Sequence, residues 1–382
     1  MSDLMYEFKG LRGVGHVQLS LAVDQRVYAL FGINGVGKTK CLEALFQYFL
    51  LGCKSFMSYK LLSLEDKAFV ARWYGGPEMD VILPEFDPRQ TGIINSAMHE
   101  RRQSIAEFHQ QPVVFLGAGQ RGHVDNTSVK SEAIGTFENR RKRYFRQMID
   151  GMCNSFSSLG MHEGLEPWFV TLAQSANPYQ KDGDNRKVEI DTLLQLLHKI
   201  DGRYDPAFME IDGANHVSLK VDGVPTELRH LSTGFTSLIK ILQAIISGYA
   251  NFTNEVNLTR VKGYVFIDEV ESHLHSQWQS KIVVLLKELF PNTTFFLASH
   301  SPIVLSQLAE GEAYLLRRNE GRIVESHLIP RPDGRILADL LDEAMGVDLN
   351  ALKVQRMDPA RQTQAKATLL QLLKTDGASP DA

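Results

Sequence analysis

The sequence predicts an α/β fold, a mixed sheet flanked by helices and split by a mainly helical insertion. Three observations predict it. Gly32-Ile33-Asn34-Gly35-Val36-Gly37-Lys38-Thr39 matches G-x-x-x-x-G-K-[ST], between an apolar run at 27–31 and a helically spaced run from Cys41. A second apolar run, Tyr264-Val265-Phe266-Ile267, ends in two adjacent carboxylates, Asp268 and Glu269. The pattern also changes along the chain, from short strands to a largely helical middle and back to alternating helix and strand.

Taken in order, residues 6–11, 16–22 and 27–31 read as three short strands before the glycine-rich loop, and a helix follows it to about residue 51. A mixed stretch covers 54–85. Residues 91–110 have helical spacing that Pro112 stops, and Val113-Val114-Phe115-Leu116 is a short buried strand leading into Gly117-Ala118-Gly119-Gln120-Arg121. A long helix is expected over 131–159, carrying Arg140-Arg141-Lys142-Arg143-Tyr144-Phe145-Arg146. Residues 177–186 are polar and loop-like, 190–200 an amphipathic helix, and 208–211 with 217–221 a hairpin around Asp212-Gly213-Ala214-Asn215. Then come a helix at 233–249, a buried strand at 264–267, a helix at 274–290 and another buried strand at 294–298. A hairpin over 313–328 turns at Asn319-Glu320-Gly321, and helices are expected at 336–345 and 359–373. The division this gives is a split core of 1–60 with 205–330, an insertion of 61–204 and a helical extension of 331–382.

The 382 residues are 43% hydrophobic and 23% charged, ordinary values for a soluble globular protein. A net charge of −4 excludes the overall basic character that coats nucleic acid. Cys41, Cys53 and Cys153 include no C-x-x-C pair, which argues against a disulfide scaffold or a zinc site and for a reducing compartment. Residues 1–7 lack a basic stretch leading into an apolar core, and no apolar run reaches about 18 residues. No signal peptide or membrane span is therefore expected, and the expected location is cytoplasmic.

The chemistry follows from the residue types. Glycines let the loop turn tightly and aim its amides at phosphate oxygens, and the next helix adds the positive end of its dipole. Lys38 would reach β- and γ-phosphates, and Thr39 would hold Mg²⁺. A buried strand delivering Asp268 and Glu269 to the same edge supplies a metal-shell carboxylate and a residue to orient or deprotonate the attacking water. Leu231-Ser232-Thr233-Gly234-Phe235 opens a helix; Ser232 can cap it, and its hydroxyl and neighbouring amides suit a γ-phosphate. Phe295-Phe296-Leu297-Ala298-Ser299-His300 places His300 at a strand end, also within reach of a γ-phosphate.

Together, Gly32–Thr39, Leu231–Gly234, Phe266–Glu269 and His300 resemble the Walker A, signature, Walker B and switch-histidine motifs of ATP-binding-cassette ATPases. Glu269-Val270-Glu271-Ser272-His273-Leu274-His275, with Ala298-Ser299-His300-Ser301-Pro302 and the opening Phe8-Lys9-Gly10-Leu11-Arg12-Gly13, is most similar to the soluble RecF/SMC/OLD-like branch. That branch includes stand-alone ATPases of bacterial antiphage defence. The resemblance covers about 5–51 and 228–308. It implies ATP and Mg²⁺ as cofactors, and Asn34, Gly35, Gly37, Lys38 and Thr39 on the nucleotide. Thr39 and Asp268 would hold the metal, with Gln120 as the candidate Q-loop ligand, and Glu269 and His300 would be catalytic. It further implies a homodimer or higher homo-oligomer in which Ser232 and Gly234 complete the partner's site, working with a separate protein effector such as a nuclease. Thr233 and Phe235 stand where transporters carry glycine and glutamine, and Ser276 where this branch often has proline. The alternative within the branch is a RecF-like repair ATPase that binds DNA. The run 140–146 could meet nucleic-acid phosphates, or form a solvated or partner-binding face, with Tyr144 and Phe145 packing rather than stacking on bases. His273 and His275, two apart, do not make a metal pair.

Overall fold

The computed structural model describes residues 4–11, 13–57, 109–121, 134–177 and 179–334. The helices expected at 91–110, 336–345 and 359–373 lie wholly or almost wholly outside these residues. One sheet organises the chain. Its strands are β1 (Leu4–Leu11), β2 (Gly15–Leu21), β3 (Val27–Phe31), β4 (Val113–Leu116), β8 (Gly263–Ile267), β9 (Thr293–Ala298), β10 (Ala313–Arg318) and β11 (Val324–Leu328). A smaller sheet holds β5 (Tyr204–Ile211), β6 (Val217–Val221) and β7 (Val224–Glu227).

The large sheet runs β1-β2-β11-β10-β3-β9-β8-β4. From β10 to β4 every pairing is parallel, while β1 with β2 and β10 with β11 are antiparallel. Strands buried on both faces read as unbroken apolar runs, which is why Val27–Phe31 and Val113–Leu116 are apolar throughout. Their side chains divide by period two. Val27, Ala29, Phe31, Val265, Ile267, Phe295 and Leu297 enter one core, and Tyr28, Leu30, Phe266, Phe296 and Ala298 the other.

Helix α1 (Lys38–Gly52) covers the second face with an aromatic layer. Phe49 lies 5.1 Å from Phe296, and Phe266 stacks on Phe296 at 4.7 Å. The first face is covered by α3 (Leu165–Ser175), α4 (Lys187–Ile200) and α5 (Thr233–Phe252), with α6 (Ile282–Leu289) beside them. The helix of the basic run, α2 (Phe137–Asn154), packs on α5 through Phe145 and Phe252, 5.1 Å apart. Residues from the middle of the chain thus share a core with 6–50 and 228–329, and β4 forms an edge of the common sheet.

Several expectations need correcting. The helix expected over 131–159 is α2 alone. Thr136 caps it by accepting from the Asn139 amide at 3.4 Å, and it ends at Ser155. The chain must then turn under β4. Gly160 has φ 75°, and a Cβ there would sit 2.0 Å from the Phe115 carbonyl oxygen. The helix expected over 274–290 is broken into a single turn, Ser276–Gln279, and α6. Gln307 supplies the break: its amide group donates to the Gln279 carbonyl while its Oε1 accepts from the Val283 amide at 3.1 Å. Helix α3 and strand β7 are additions to the expected elements.

Candidate nucleotide site

Because β4, β8, β9 and β3 run parallel side by side, their C-terminal ends open on one edge, where open α/β sheets hold ligands. Those ends carry 117–121, Asp268 with Glu269, His300 and the glycine-rich loop.

The loop's glycines are required by space and conformation. Gly32 has φ 146°, and a Cβ there would lie 2.8 Å from the Leu316 carbonyl oxygen. Gly37 has φ 111°, and a Cβ would meet Val14 Cγ1 at 2.7 Å. No side chain caps α1, so its first amides remain available for an anion. Asn34 and Gly35 are exposed at the loop's crest, where their backbone can meet phosphate.

Lys38 is only 4% exposed. Its Nζ donates to the carbonyls of Gly32 at 2.7 Å and Ile33 at 3.1 Å. Burial brings its pKa down to about 8, and the charges of Glu271, Asp268 and Glu269 oppose that fall. Thr39 Oγ1 donates to Asp268 Oδ1 at 3.0 Å, joining the glycine-rich loop's helix to the acid-ended strand. Asp268 is buried, which raises its pKa, while the Thr39 hydrogen bond pulls the other way. A hydroxyl and a carboxylate held together form a hard-oxygen donor pair suited to Mg²⁺.

Glu269 sits at φ 45°, the left-handed region that non-glycine residues avoid. Arg121 holds the turn there. It is fully buried, and its guanidinium donates to the carbonyls of Leu116 at 2.9 Å, Asp268 at 2.5 Å and Glu269 at 2.7 Å. Burial lowers its pKa to about 10, against the nearby charges of Asp268, Glu271 and Glu269. Glu269 is half-buried. One strand along, the His300 amide donates to Glu271 Oε1 at 2.5 Å. The imidazole pKa lies below its ordinary value because of burial and then the Lys38 charge.

Ser232 Oγ accepts from the Phe235 amide at 3.3 Å, the expected cap. Gly234 packs beneath His275: a Cβ there would lie 2.9 Å from the imidazole Cδ2. The nearest neighbours of Gly234 are His275 and the His273 carbonyl, not the P-loop. The structure thus groups Lys38, Thr39, Asp268, Glu269 and His300, and packs Gly234 against His273 and His275. Gln120 has an exposed side chain with no hydrogen bond to Thr39 or Asp268. Its carbonyl accepts from the buried Lys240 Nζ on α5 at 2.7 Å.

Arg121 and Glu271 belong to the site although sequence reasoning gave them no role. Both stand within quoted motif segments, and nothing in the spacing distinguishes them from surface charges. Among the described residues no group of histidine, cysteine and carboxylate side chains forms a metal centre of its own.

The sheet, its edge and the residues gathered there define an ATP-binding-cassette-type P-loop ATPase fold. The likeness to the RecF/SMC/OLD-like branch extends to known proteins. Residues 154–306 match the family described as "AAA domain, putative AbiEii toxin, Type IV TA system". The Septu protein PtuA of Bacillus mycoides (strain KBAB4) is 26% identical over 326 residues, covering 83% of this chain and 40% of that protein. The Retron Vc95 probable ATPase of Vibrio cholerae serotype O1 biovar El Tor is 23% identical over 256 residues, covering 56% of this chain and 50% of that protein. The chain therefore spans half or less of the length of these relatives. Among solved structures, an SMC head bound to the C-terminal winged-helix domain of ScpA is 12% identical with a TM-score of 0.43, covering 88% of this chain and all of that one.

Proposed function

We propose that this chain binds ATP with Mg²⁺, hydrolyses it and acts as a nucleotide-driven dimeric switch. The reading rests on one observation above the others: the Thr39–Asp268 hydrogen bond at 3.0 Å, which closes the P-loop helix onto the acid-ended strand beside Lys38. Thr39 and Asp268 hold the metal, which screens the phosphate charge when bound, and exposed Gln120 is the third candidate ligand. Lys38 neutralises phosphate, and the loop amides of Asn34, Gly35 and Gly37 orient it. Glu269 takes the proton of the attacking water, and His300, at the end of β9, contacts the γ-phosphate. Ser232 and Gly234 complete the site of a second protomer.

The names of the relatives, a Septu protein and a retron probable ATPase, support a role in bacterial antiphage defence; in this reading the switch acts on a separate effector such as a nuclease. For the DNA-binding alternative the basic run offers Arg143 and Arg146, which are exposed, while its other basic residues are engaged within the chain. Arg140 is buried against the Gly135 carbonyl and Asp184, Arg141 lies 5.0 Å over the Phe137 ring, and Lys142 pairs with Glu138.

Glu269→Gln tests the reading. The variant keeps the shape of the turn and loses the base. It is expected to bind ATP normally, hydrolyse it at least about a hundredfold more slowly, and accumulate as an ATP-dependent dimer in light scattering. Normal turnover in this variant assigns the base elsewhere. Failure of the unmodified protein to bind ATP removes the reading altogether.

A further inference from the structure

Where β9 ends, the chain leaves the sheet in three steps. The Ala298 carbonyl still accepts from the Val270 amide at 3.2 Å, and the Ser299 amide still donates to the Leu30 carbonyl at 3.1 Å. The Ser301 amide donates to Ser299 Oγ at 3.0 Å, and Ser301 Oγ caps the turn Pro302–Leu305. Between them stands His300, whose amide is taken by a side chain from the acidic turn, Glu271 Oε1 at 2.5 Å. A bond to a carboxylate is stronger than one to a neutral acceptor.

The rest of the Glu271 side chain makes this tie its main business. Its second oxygen, Oε2, is buried without a hydrogen-bond partner. Leaving a carboxylate oxygen in that state destabilises a fold, so the contact to His300 holds the side chain where it would otherwise not stay. The carboxylate also lies among the charges of the site, acting on Lys38, Arg121 and His300. It therefore links the turn that carries Glu269 to the residue that meets the γ-phosphate.

We infer that Glu271 is a positioning residue for ATP hydrolysis, fixing the His300 main chain so that the imidazole and the Glu269 carboxylate keep one mutual geometry. This rests on the ATPase reading above. Glu271 acts through His300 and touches no reacting atom.

The test compares Glu271→Ala with Glu271→Gln, each alone and with His300→Ala. Hydrolysis rate, ATP affinity and amide hydrogen exchange over 298–302 are measured on the full chain. Glu271→Ala is expected to lower kcat about tenfold or more while ATP affinity stays within about threefold, and to speed exchange at 298–302. Glu271→Gln, whose carbonyl can still accept the His300 amide, is expected to stay within about threefold of the unmodified rate. In the His300→Ala background, Glu271→Ala is expected to add little, because the two residues act as one unit. The inference is overturned if Glu271→Ala turns over normally, if Glu271→Gln falls as far as Glu271→Ala, or if the two losses multiply. Absence of ATP hydrolysis by the unmodified protein sinks the ATPase reading instead. The exchange rates then decide the tether alone: unchanged exchange in Glu271→Ala overturns it.

Discussion

Raising the pH from about 7 to about 9 is expected to weaken ATP binding about tenfold, because it discharges Lys38. The ammonium is withdrawn from water onto two loop carbonyls, and burial has brought its pKa to about 8. With that value, about nine-tenths of the free protein carries the charge at pH about 7 and about one-tenth at pH about 9. Only the charged form binds phosphate well, so the apparent Kd rises as that fraction falls, by about 1.4 kcal/mol across the range. The sign follows from linkage. Phosphate favours the charged lysine, so its pKa is higher in the complex than in the free protein. Binding then exchanges no proton well below pH 8 and takes one up above it. Isothermal titration calorimetry across this range, in two buffers of different ionisation enthalpy, reads both the Kd and the proton uptake. Lys38→Met is expected to bind weakly and with no slope. A flat Kd in the unmodified protein, or a slope that survives in Lys38→Met, refutes the assignment of the charge to Lys38.

Two further outcomes are expected. Arg121→Lys keeps the charge but replaces the guanidinium fork that grips three carbonyls. It should cost about 2–4 kcal/mol of stability and lower kcat about tenfold or more with ATP affinity little changed; unaltered melting and turnover in that variant would mean the turn needs no clamp. Ser232→Arg should leave nucleotide binding by the monomer intact and abolish ATP-driven dimerisation and hydrolysis. Mixing it with Lys38→Ala should restore part of the activity, since one composite site then carries both lesions and the other neither; normal hydrolysis by Ser232→Arg alone rules out a site shared between protomers.

The parts of the fold legible in the sequence were those with a strong local signal. Unbroken apolar runs located β3, β4 and β8 to within a residue, because a strand buried on both faces admits nothing else. Strand β7 was missed although its signal was present. Asp222-Gly223, with φ 50° and 80°, is the dipeptide that a two-residue hairpin favours, but Pro225 and Glu227 masked the strand after it. Helix α3 was missed because its apolar face is defined by contacts with α4 and the sheet. In the site, the glycine-rich loop and the acid-ended strand were readable because their chemistry dictates residue order. The Arg121 clamp and the Glu271 tie were not. Each depends on a backbone carbonyl or amide that comes near only when strands far apart in the chain become neighbours.

The place of β3 in the sheet has a consequence for the order in which the protein forms. Its partners on either side are β9 and β10, made long after it. While the chain is being synthesised, the strand that carries the P-loop has both edges open until residues 293–318 have emerged. β1 with β2, and β4 with β8, can pair beforehand, but β1 and β2 reach β3 only through β11 and β10, and β4 and β8 only through β9. An apolar strand with two free edges is a template for pairing with another chain. Parallel partners this distant in sequence also close slowly, because the loop entropy must be met before any contact forms. The nucleotide pocket therefore becomes whole only after residues 293–318 have emerged. Until then, Val27–Phe31 is an apolar strand with two uncovered edges that a chaperone would have to shield.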